Sequence, residues 1–297
     1  QRYRRNTAIA AMTMGVVAIT GAGTGLGRAY ALYLARLGWR VVVNNRLRRN
    51  DCGDVMPSSA EAVVAEICAA GGEAISQHDD VCSDGAGERL LHTALERWGR
   101  LDALVNNAGV DQHVPFHKIT LDDFRRIVAV NFDGTVAMTQ PIYQYMRERR
   151  HGRIVVSVSS AGLHGLHGLS AYAASKAALV AFMRSLAAEG ASRDVTCAAI
   201  APYAATRMTD AHLNDDLRRV MTADAVAPVV AALIAPQHRI SGETWVVGAG
   251  RVRRASTVEW GEGFPIDDAL PQRLAARMGE PREFRDALAA HEDFMQR

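Results

Sequence analysis

The sequence has little net charge, few cysteines and no long apolar run, and each of these shortages excludes a class of protein. A formal net charge of +2 over 297 residues gives no basic surface of the kind that binds nucleic acid. Every apolar run stops well short of the roughly 20 residues that a membrane helix needs, so no membrane partner is expected. The four cysteines form no CxxC pair, which predicts reduced thiols in a cytoplasmic protein rather than a disulfide framework.

The remaining composition is typical of a globular protein. Apolar residues make up 48% and charged residues 22% of the chain, and a chain near this length buries roughly 75% of its unfolded surface. Residues 1–14 combine arginines with small residues, but their apolar stretch is too short and too weak for a signal peptide. We therefore interpret 1–14 as an N-terminal extension, 15–250 as one domain and 251–297 as a short helical tail.

From residue 15 onward, short apolar runs alternate with amphipathic helical stretches. The apolar runs show no polar alternation, as is typical of strands buried on both faces. The repetition predicts an α/β fold, a single doubly wound Rossmann domain with a seven-stranded parallel sheet. The predicted strands are Val16–Thr20, Arg40–Asn44, Glu73–Gln77, Ala103–Asn106, Arg153–Val158, Val195–Ile200 and Thr244–Val247. The predicted helices are Leu26–Leu37, Ser58–Ala70, Ala86–Trp98, Leu121–Arg149, Ala171–Glu189 and Ala223–Ala235, with Pro271–Met278 and Pro281–Phe294 in the tail.

A glycine-rich loop, TGAGTGLG, joins the first predicted strand to the first predicted helix. Glycine permits positive φ angles and lets a pyrophosphate approach the backbone, and the helix N-terminus adds partial positive charge. The spacing is TGxxxGxG rather than GxGxxG. The loop predicts a dinucleotide phosphate site made by Gly21, Gly23, Thr24, Gly25, Leu26 and Gly27.

The second predicted strand ends without the acidic residue that usually binds the ribose hydroxyls of a dinucleotide. Asn45 stands at that position and Arg46 follows, with Arg48 and Arg49 beyond. The missing carboxylate removes repulsion of a 2′-phosphate, and a guanidinium offers it paired donors. The sequence therefore favours NADP(H). The alternative is that Asn45 binds the ribose of NAD(H) and the arginines belong to a solvated loop.

A serine, a tyrosine and a lysine follow the fifth predicted strand with a spacing that suits acid–base chemistry. Tyr172 comes 13 residues after Ser159, and Lys176 lies at i+4 on the same helix face. A tyrosine pKa of about 10 is too high for work near neutrality, and we expect the neighbouring ammonium to lower it. The serine hydroxyl can hold a substrate oxygen at the same point. Ser160 is the alternative for the serine position.

Together these motifs resemble the short-chain dehydrogenase/reductase family over Gly15–Gly250. The matching parts are TGAGTGLG, Asp80 in DDV, NNAG at Asn106–Gly109, Asn131 in VNFDG, Ser159, YAASK and Pro202 in IAPYAATRMT. GLGRAYAL, VVVNN and IAPYAATRMT are similar to one branch, the (3R)-hydroxyacyl-CoA and 17β-hydroxysteroid dehydrogenase unit of peroxisomal multifunctional enzyme type 2. That branch carries aspartate where this chain has Asn45, so its NAD preference is not transferred.

The resemblance implies a role for each matching residue. Tyr172 would be the general acid/base, Lys176 would hold the nicotinamide ribose, Ser159 would orient the carbonyl or alcohol, and Asn131 would hold a water that links Lys176 to solvent. At the cofactor, Asp80 and Val81 would contact adenine, Asn107, Ala108 and Gly109 would lie under the adenosine ribose, and Thr206 would reach the nicotinamide, with Pro202, Tyr172 and Lys176 completing the set.

The substrate side is less defined by the sequence. His164 and His167 fall in the segment that borders the substrate in this family, and His113, Phe116 and His117 follow NNAG. Tyr203 replaces the glycine that usually follows the proline, which we expect to reshape the pocket. The histidine spacing, without a nearby carboxylate, argues against a metal site.

The leading hypothesis is an NAD(P)(H)-dependent oxidoreductase that interconverts a ketone and a secondary alcohol. Its substrate would be bulky and mostly apolar, a polycyclic, steroid-like or secondary-metabolite compound. A 3-hydroxyacyl-CoA dehydrogenase or 3-oxoacyl thioester reductase is the alternative, and a non-catalytic NAD(P)-binding sensor or scaffold is the alternative from another class. The resemblance implies a homodimer or homotetramer paired through Leu121–Arg149 and Ala171–Glu189. It also implies a tail that packs near the substrate pocket or at an oligomer interface.

Overall fold

The computed structural model describes residues 15–48, 50, 54–205, 214–260, 280–284 and 287–295. The chain divides into one compact unit up to Arg253 and a second that begins at Arg254. Within the described ranges, no helix is long and apolar enough to cross a membrane.

An eight-stranded sheet forms the centre of the first unit, in the order β3-β2-β1-β4-β5-β6-β7-β8. The strands are β1 (Gly15–Ile19), β2 (Trp39–Asn44), β3 (Ala74–Gln77), β4 (Ala103–Asn106), β5 (Gly152–Ser157), β6 (Val195–Tyr203), β7 (Thr244–Gly248) and β8 (Arg251–Ala255). Strands β1 to β7 pair in parallel. The expected doubly wound, mostly parallel sheet is confirmed.

The seven predicted parallel strands correspond to β1 to β7, and one strand that was not predicted, β8, extends the sheet. It follows β7 after two residues, Ala249 and Gly250, both with positive φ (48° and 69°). Such a two-residue connection joins antiparallel neighbours. Nearly all of β8 is exposed and its sequence, RVRRA, is mostly basic, so it lacks the apolar run that marks a buried strand.

Helices cover both faces of the sheet. They are α1 (Gly25–Arg36), α2 (Ser59–Ala69), α3 (Ala86–Trp98), α4 (Leu121–Val128), α5 (Gly134–Arg149), α6 (Ser160–His164), α7 (Ser170–Gly190), α8 (Asp215–Val220) and α9 (Ala227–Ile234). The predicted helix Leu121–Arg149 is divided by a π-helical segment, Ala129–Asp133. The sequence did not predict α6 and α8, which are only five and six residues long.

Two hydrophobic layers explain the continuous apolar runs in the strands. In β1, Val17 and Ile19 belong to the layer that includes side chains of α1, α2 and α9. Val16 and Ala18 belong to the opposite layer, with α3, α5 and α7. All four side chains are fully buried, so both faces of the strand must be apolar. The carboxyl ends of the parallel strands then meet at one edge, where ligands bind in folds of this kind.

The second unit contains a two-stranded antiparallel sheet and a helix. Strand β9 (Val258–Trp260) pairs with β10 (Pro281–Glu283), and α10 spans Ala287–Met295. The prediction of a helix over Pro281–Phe294 is therefore wrong in its first residues, since Pro281 lies opposite Trp260 in a sheet. Proline is tolerated at the first residue of an edge strand. The predicted helix Pro271–Met278 lies outside the described residues, and the packing of the tail stays a prediction.

Candidate active site

One cavity of about 760 Å³ opens at the carboxyl edge of the sheet. Its wall runs from the glycine loop and the end of β2 to the start of α7. The predicted residues that line it are Gly21, Thr24, Gly25, Leu26, Asn45, Arg46, Asp80, Val81, Asn107, Ala108, Gly109, Tyr172, Lys176 and Pro202. Gly23, Gly27, Asn131, Ser159, His164, His167 and Tyr203 are not among the lining residues, and Thr206 lies outside the described residues.

The glycine loop is tied to the end of β4 through Thr20. The Thr20 hydroxyl accepts hydrogen bonds from the backbone N–H groups of Asn107 and Ala108, both at 3.0 Å. Gly21 has φ +64°, and a Cβ there would lie 2.9 Å from the Ala108 Cα. The loop therefore needs glycine both for its backbone angle and for its close approach to β4.

Gly23 does not line the cavity but packs against Ser59 and Asn45, which do, so its substitution tests the phosphate site through the position of the loop. A Cβ at this position would lie 2.3 Å from Ser59 Oγ and 2.8 Å from Asn45 Nδ2. Overpacking of this kind costs about 1–3 kcal/mol, so we expect Gly23→Ala to weaken NADPH binding by about 10- to 100-fold. A fluorescence titration of the purified variant with NADPH measures the change.

The matched control for this prediction is Gly71→Ala. Gly71 also has a positive φ (+84°), but a Cβ there would meet nothing within 4 Å. This variant should lose stability and keep its NADPH affinity. Equal affinities for Gly23→Ala and the parent would contradict a phosphate site at the loop.

The end of β2 brings hydrogen-bond donors and positive charge to one end of the cavity. The Asn45 amide donates to Ser59 Oγ at 2.8 Å, and Arg46 Nη1 lies 3.1 Å from a carboxylate oxygen of Asp80. Arg48 also lines the cavity. Helix α2 begins beside them, with Ser58 accepting the Glu61 N–H at 3.1 Å as its N-cap. The Arg46–Asp80 pair is exposed, so a competing anion can exchange with it at little cost.

Asn131 lies in the π-helical segment and is fully buried. Its side chain accepts from Val110 N at 2.8 Å and donates to Val110 O at 2.9 Å and to Ser175 Oγ at 3.0 Å. The Ser175 hydroxyl donates in turn to the Tyr172 carbonyl at 2.8 Å. Asn131 thus joins the segment after β4 to α7, and π-bulges often occur at functional sites. Its predicted water-holding role stays a prediction.

Lys176 and Tyr172 lie on one face of α7, as their spacing predicts. Lys176 is buried, donates to Ser157 O at 2.7 Å and has its Nζ 5.7 Å from the centre of the Tyr172 ring. Burial lowers the pKa of Lys176 to about 8, because the charged form loses hydration.

The pKa of Tyr172 moves in the direction opposite to the sequence-based expectation. Burial raises the pKa of the phenol, the charge of Asp111 raises it further, and a hydrogen bond with Ser159 lowers it. The expected lowering by Lys176 is therefore wrong for this structure, because loss of hydration dominates. Near neutral pH the phenol keeps its proton and can act as an acid. The contact with Tyr172 also favours Ser159 over Ser160.

The histidines and Tyr203 lie apart from the cavity wall. His164 and His167 are exposed, and the His113 and His167 ring centres are 6.4 Å apart. Phe116 and Tyr203 are also exposed. Among the described residues, no group of three or more His, Cys, Asp or Glu side chains could hold a metal ion. A substrate role for these residues stays a prediction.

Sequence reasoning missed Ser59, Asp111 and Ser175. Asp111 follows NNAG by two residues, so its position next to this motif could have indicated that it lies at the site. Ser175 lies inside the YAASK motif, between Tyr172 and Lys176, so the motif could have indicated it, whereas Ser59 carries no local signal. They matter because distant segments place Asn45 and Asn131 against them.

Comparison with known proteins gives the family. A model described as short chain dehydrogenase matches residues 15–217. The chain therefore belongs to the short-chain dehydrogenase family, as its motifs predict, and is an oxidoreductase. Members of this family bind NAD(P).

Particular relatives agree with this family. The chain is 37% identical over 267 residues to a short-chain type dehydrogenase/reductase of Mycobacterium tuberculosis, covering 89% of this chain and 93% of that protein. It is 38% identical over 240 residues to mouse peroxisomal multifunctional enzyme type 2, covering 79% of this chain and 32% of that enzyme. The crystal structure of a short chain dehydrogenase from Mycobacterium avium superposes with a TM-score of 0.78 at 32% identity, covering 92% of this chain and 98% of that one. The predicted resemblance to the multifunctional-enzyme branch is confirmed.

Proposed function

We propose that this protein is an NADP(H)-dependent ketoreductase for a bulky, mostly apolar ketone. The observation that carries the proposal is one cavity with Asn45 and Arg46 at one end and Tyr172 and Lys176 at the other. The residues fit a dinucleotide: the glycine loop lines the cavity, and Asn45 and Arg46, which follow β2, line it with side chains that can donate hydrogen bonds. A shape of this kind suits a long ligand with a phosphate near one end and a reacting group near the other.

The bound nicotinamide would supply the hydride, and the chain would supply position and a proton. We assign Tyr172 as the acid that protonates the substrate oxygen as hydride reaches the carbonyl carbon. Ser159, which contacts Tyr172, would hold that oxygen. Lys176, with its pKa lowered to about 8, is suited to return a proton to Tyr172 near neutral pH.

The protonation state of Tyr172 suits the acid role that ketone reduction needs. Alcohol oxidation needs the phenolate as a base, whereas ketone reduction needs the phenol as an acid. Burial and the charge of Asp111 both raise the pKa of Tyr172. The phenol is thus the main form over the neutral range.

The NADP(H) preference rests on the groups at the end of β2. Asn45, Arg46 and Arg48 present donors without a carboxylate at the ribose position, and the N-terminus of α2 adds partial positive charge. We further propose a homodimer or homotetramer and a cytoplasmic location. Residue roles at the catalytic and cofactor sites remain part of this proposal.

A second candidate is a reductase of 3-oxoacyl thioesters or a 3-hydroxyacyl-CoA dehydrogenase. The similarity to mouse peroxisomal multifunctional enzyme type 2 favours it, although the chain spans only 32% of that enzyme. Steady-state assays with NADPH against a bulky bicyclic ketone and a 3-oxoacyl thioester compare the two candidates. We expect a higher kcat/KM for the bicyclic ketone, and the reverse order would favour the thioester enzyme.

The cofactor preference is tested by parallel fluorescence titrations with NADPH and NADH. We expect the parent protein to bind NADPH at least about 10-fold more tightly, or about 1.4 kcal/mol. Asn45→Asp should reverse this order, because a carboxylate repels the 2′-phosphate and binds the ribose hydroxyls. Arg46→Ala should bring the two affinities close together.

Arg125→Ala is the control for charge alone, since Arg125 is an exposed arginine of α4. It should leave both affinities unchanged. Tighter binding of NADH by the parent protein would contradict the interpretation of Asn45 and Arg46 and would point to alcohol oxidation.

A further inference from the structure

Asp111 lies in the wall of the cavity, and the proposed function uses only the effect of its charge on the pKa of Tyr172. It lines the same cavity as Tyr172 and Lys176. The preceding residue, Val110, makes both of its backbone hydrogen bonds to Asn131, at 2.8 and 2.9 Å. Three residues later, Val114 N donates to Gly168 O at 2.7 Å. The backbone of Asp111 is therefore held on both sides, so the fold sets its place in the cavity wall.

The charge of Asp111 reaches the proposed reaction centre. It raises the pKa of Tyr172, so its carboxylate acts electrostatically on the phenol oxygen. The other groups around that phenol are Ser159, the N-cap of α6, and Lys176 on α7. His113, two residues after Asp111, has its ring centre 6.4 Å from that of His167. When Tyr172 gives up its proton, a phenolate forms near a carboxylate, which is unfavourable unless a positive or hydrogen-donating group intervenes.

We propose that Asp111 determines substrate specificity by accepting a hydrogen bond from a hydroxyl or amino group that the substrate carries close to its reacting carbonyl. This inference rests on the proposed function and gives its substrate a chemical class, a hydroxylated or aminated ketone. An ionised carboxylate only accepts hydrogen bonds, and its two oxygens offer about four lone-pair sites. Asp111 can therefore bind a substrate donor in addition to its partners in the protein.

The same residue disfavours the thioester candidate. A 3-oxoacyl thioester presents an acceptor, its thioester carbonyl oxygen, beside the reacting ketone. That thioester oxygen would face the Asp111 carboxylate as a second acceptor, and it would lose hydration without gaining a donor. A site that accepts a hydrogen bond from a substrate hydroxyl discriminates against analogues that lack this donor, because the hydrogen bond is lost.

The test compares a bicyclic ketone with its β-hydroxy analogue, using NADPH and the complete chain. We expect the parent to use the hydroxyketone with a kcat/KM at least about 10-fold higher. Asp111→Asn should reduce this ratio to below about threefold and should improve use of a 3-oxoacyl thioester, because an amide can also donate. NADPH affinity should stay the same in this variant.

A pH profile gives a second readout that general damage would not produce. Removing the negative charge should lower the pKa of Tyr172, so the rising limb of alcohol oxidation should move to lower pH in Asp111→Asn. Asp122→Asn removes the same charge from a side chain that is 95% exposed, and it should change neither the ratio nor the profile.

The outcomes separate this inference from the function on which it rests. If Asp111→Asn keeps the parent's substrate ratio and pH profile while ketone turnover persists, Asp111 has no specificity role and the proposed function stands. A parent that prefers the ketone without the hydroxyl would also overturn the inference. If the parent reduces no ketone or thioester, the proposed function fails and the substrate class fails with it.

Discussion

Replacing Tyr172 with phenylalanine is expected to lower kcat for ketone reduction by about 10³-fold, because positioned acid–base groups contribute about 10²–10⁴-fold. The variant loses one hydroxyl, and with it the proton for the substrate oxygen and the contact with Ser159. The ring, which keeps its place on α7, still fills its part of the cavity wall. NADPH affinity should therefore stay within about twofold of the parent's, well under the 1.4 kcal/mol that a tenfold change represents. Stopped-flow turnover and a fluorescence titration measure the two quantities.

Tyr145→Phe is the matched control for the Tyr172 variant. The Tyr145 hydroxyl accepts a hydrogen bond from Arg149 at 2.6 Å on α5, so the same chemical change is made outside the cavity. This control should keep the turnover of the parent. Retained turnover in Tyr172→Phe would remove Tyr172 from the mechanism, and binding of NADPH without turnover in the parent would favour the sensor or scaffold.

Replacing Lys176 with methionine should remove turnover without lowering stability. Methionine has a similar length and no charge, so it fills the space of the lysine stem without the cost of burying an ammonium. The pKa of Lys176 is lowered from 10.5 to about 8, which corresponds to a destabilisation of about 3 kcal/mol at neutral pH. Removing the ammonium should therefore raise the free energy of unfolding, and the lost hydrogen bond to Ser157 O offsets about 1 kcal/mol of this increase. The expected result is a Tm equal to or above that of the parent.

The pH dependence of this stability difference has a definite sign. The unfolded chain binds the lysine proton more tightly than the folded chain, so the penalty is complete below pH 8. It fades as the pH rises from 8 to 10.5, because both states then carry a neutral amine. The Tm advantage of Lys176→Met should shrink over this interval. Thermal unfolding of both proteins across the interval measures it.

Lys118→Met is the control. The sequence contains two lysines, Lys118 and Lys176, and Lys118 is exposed. It should change neither turnover nor the pH dependence of the Tm. With only these lysines, NMR of protein labelled with ¹⁵N at lysine Nζ can follow Lys176 directly. A Lys176 titration near 10.5, or a strongly reduced Tm in Lys176→Met, would contradict the buried-ammonium explanation.

The strands of the sheet could be predicted because burial on both faces leaves a local signal. Val16–Ile19 alternates between two apolar layers, so the run is apolar throughout and easy to recognise. Strand β8 gives no such signal, since its side chains are exposed and mostly basic. Strand β8 pairs with β7 because the turn at Ala249 and Gly250 returns the chain to the edge of the sheet that β7 forms. Proline often begins a helix, which is why the sequence predicts one from Pro281. In the structure Pro281 lies in a strand, because it pairs with Trp260.

The family, the parallel sheet, the glycine loop and the shared face of Tyr172 and Lys176 could all be predicted from the residues alone. These features depend on residues close together in the chain, where the periods of strand and helix place side chains without further information. The link that Asn131 makes between Val110 and Ser175 exists only in the folded chain. The raised pKa of Tyr172 also follows from the fold, through burial and the charge of Asp111. Hydration and charge at a site depend on segments that are distant in sequence and meet only in the folded protein.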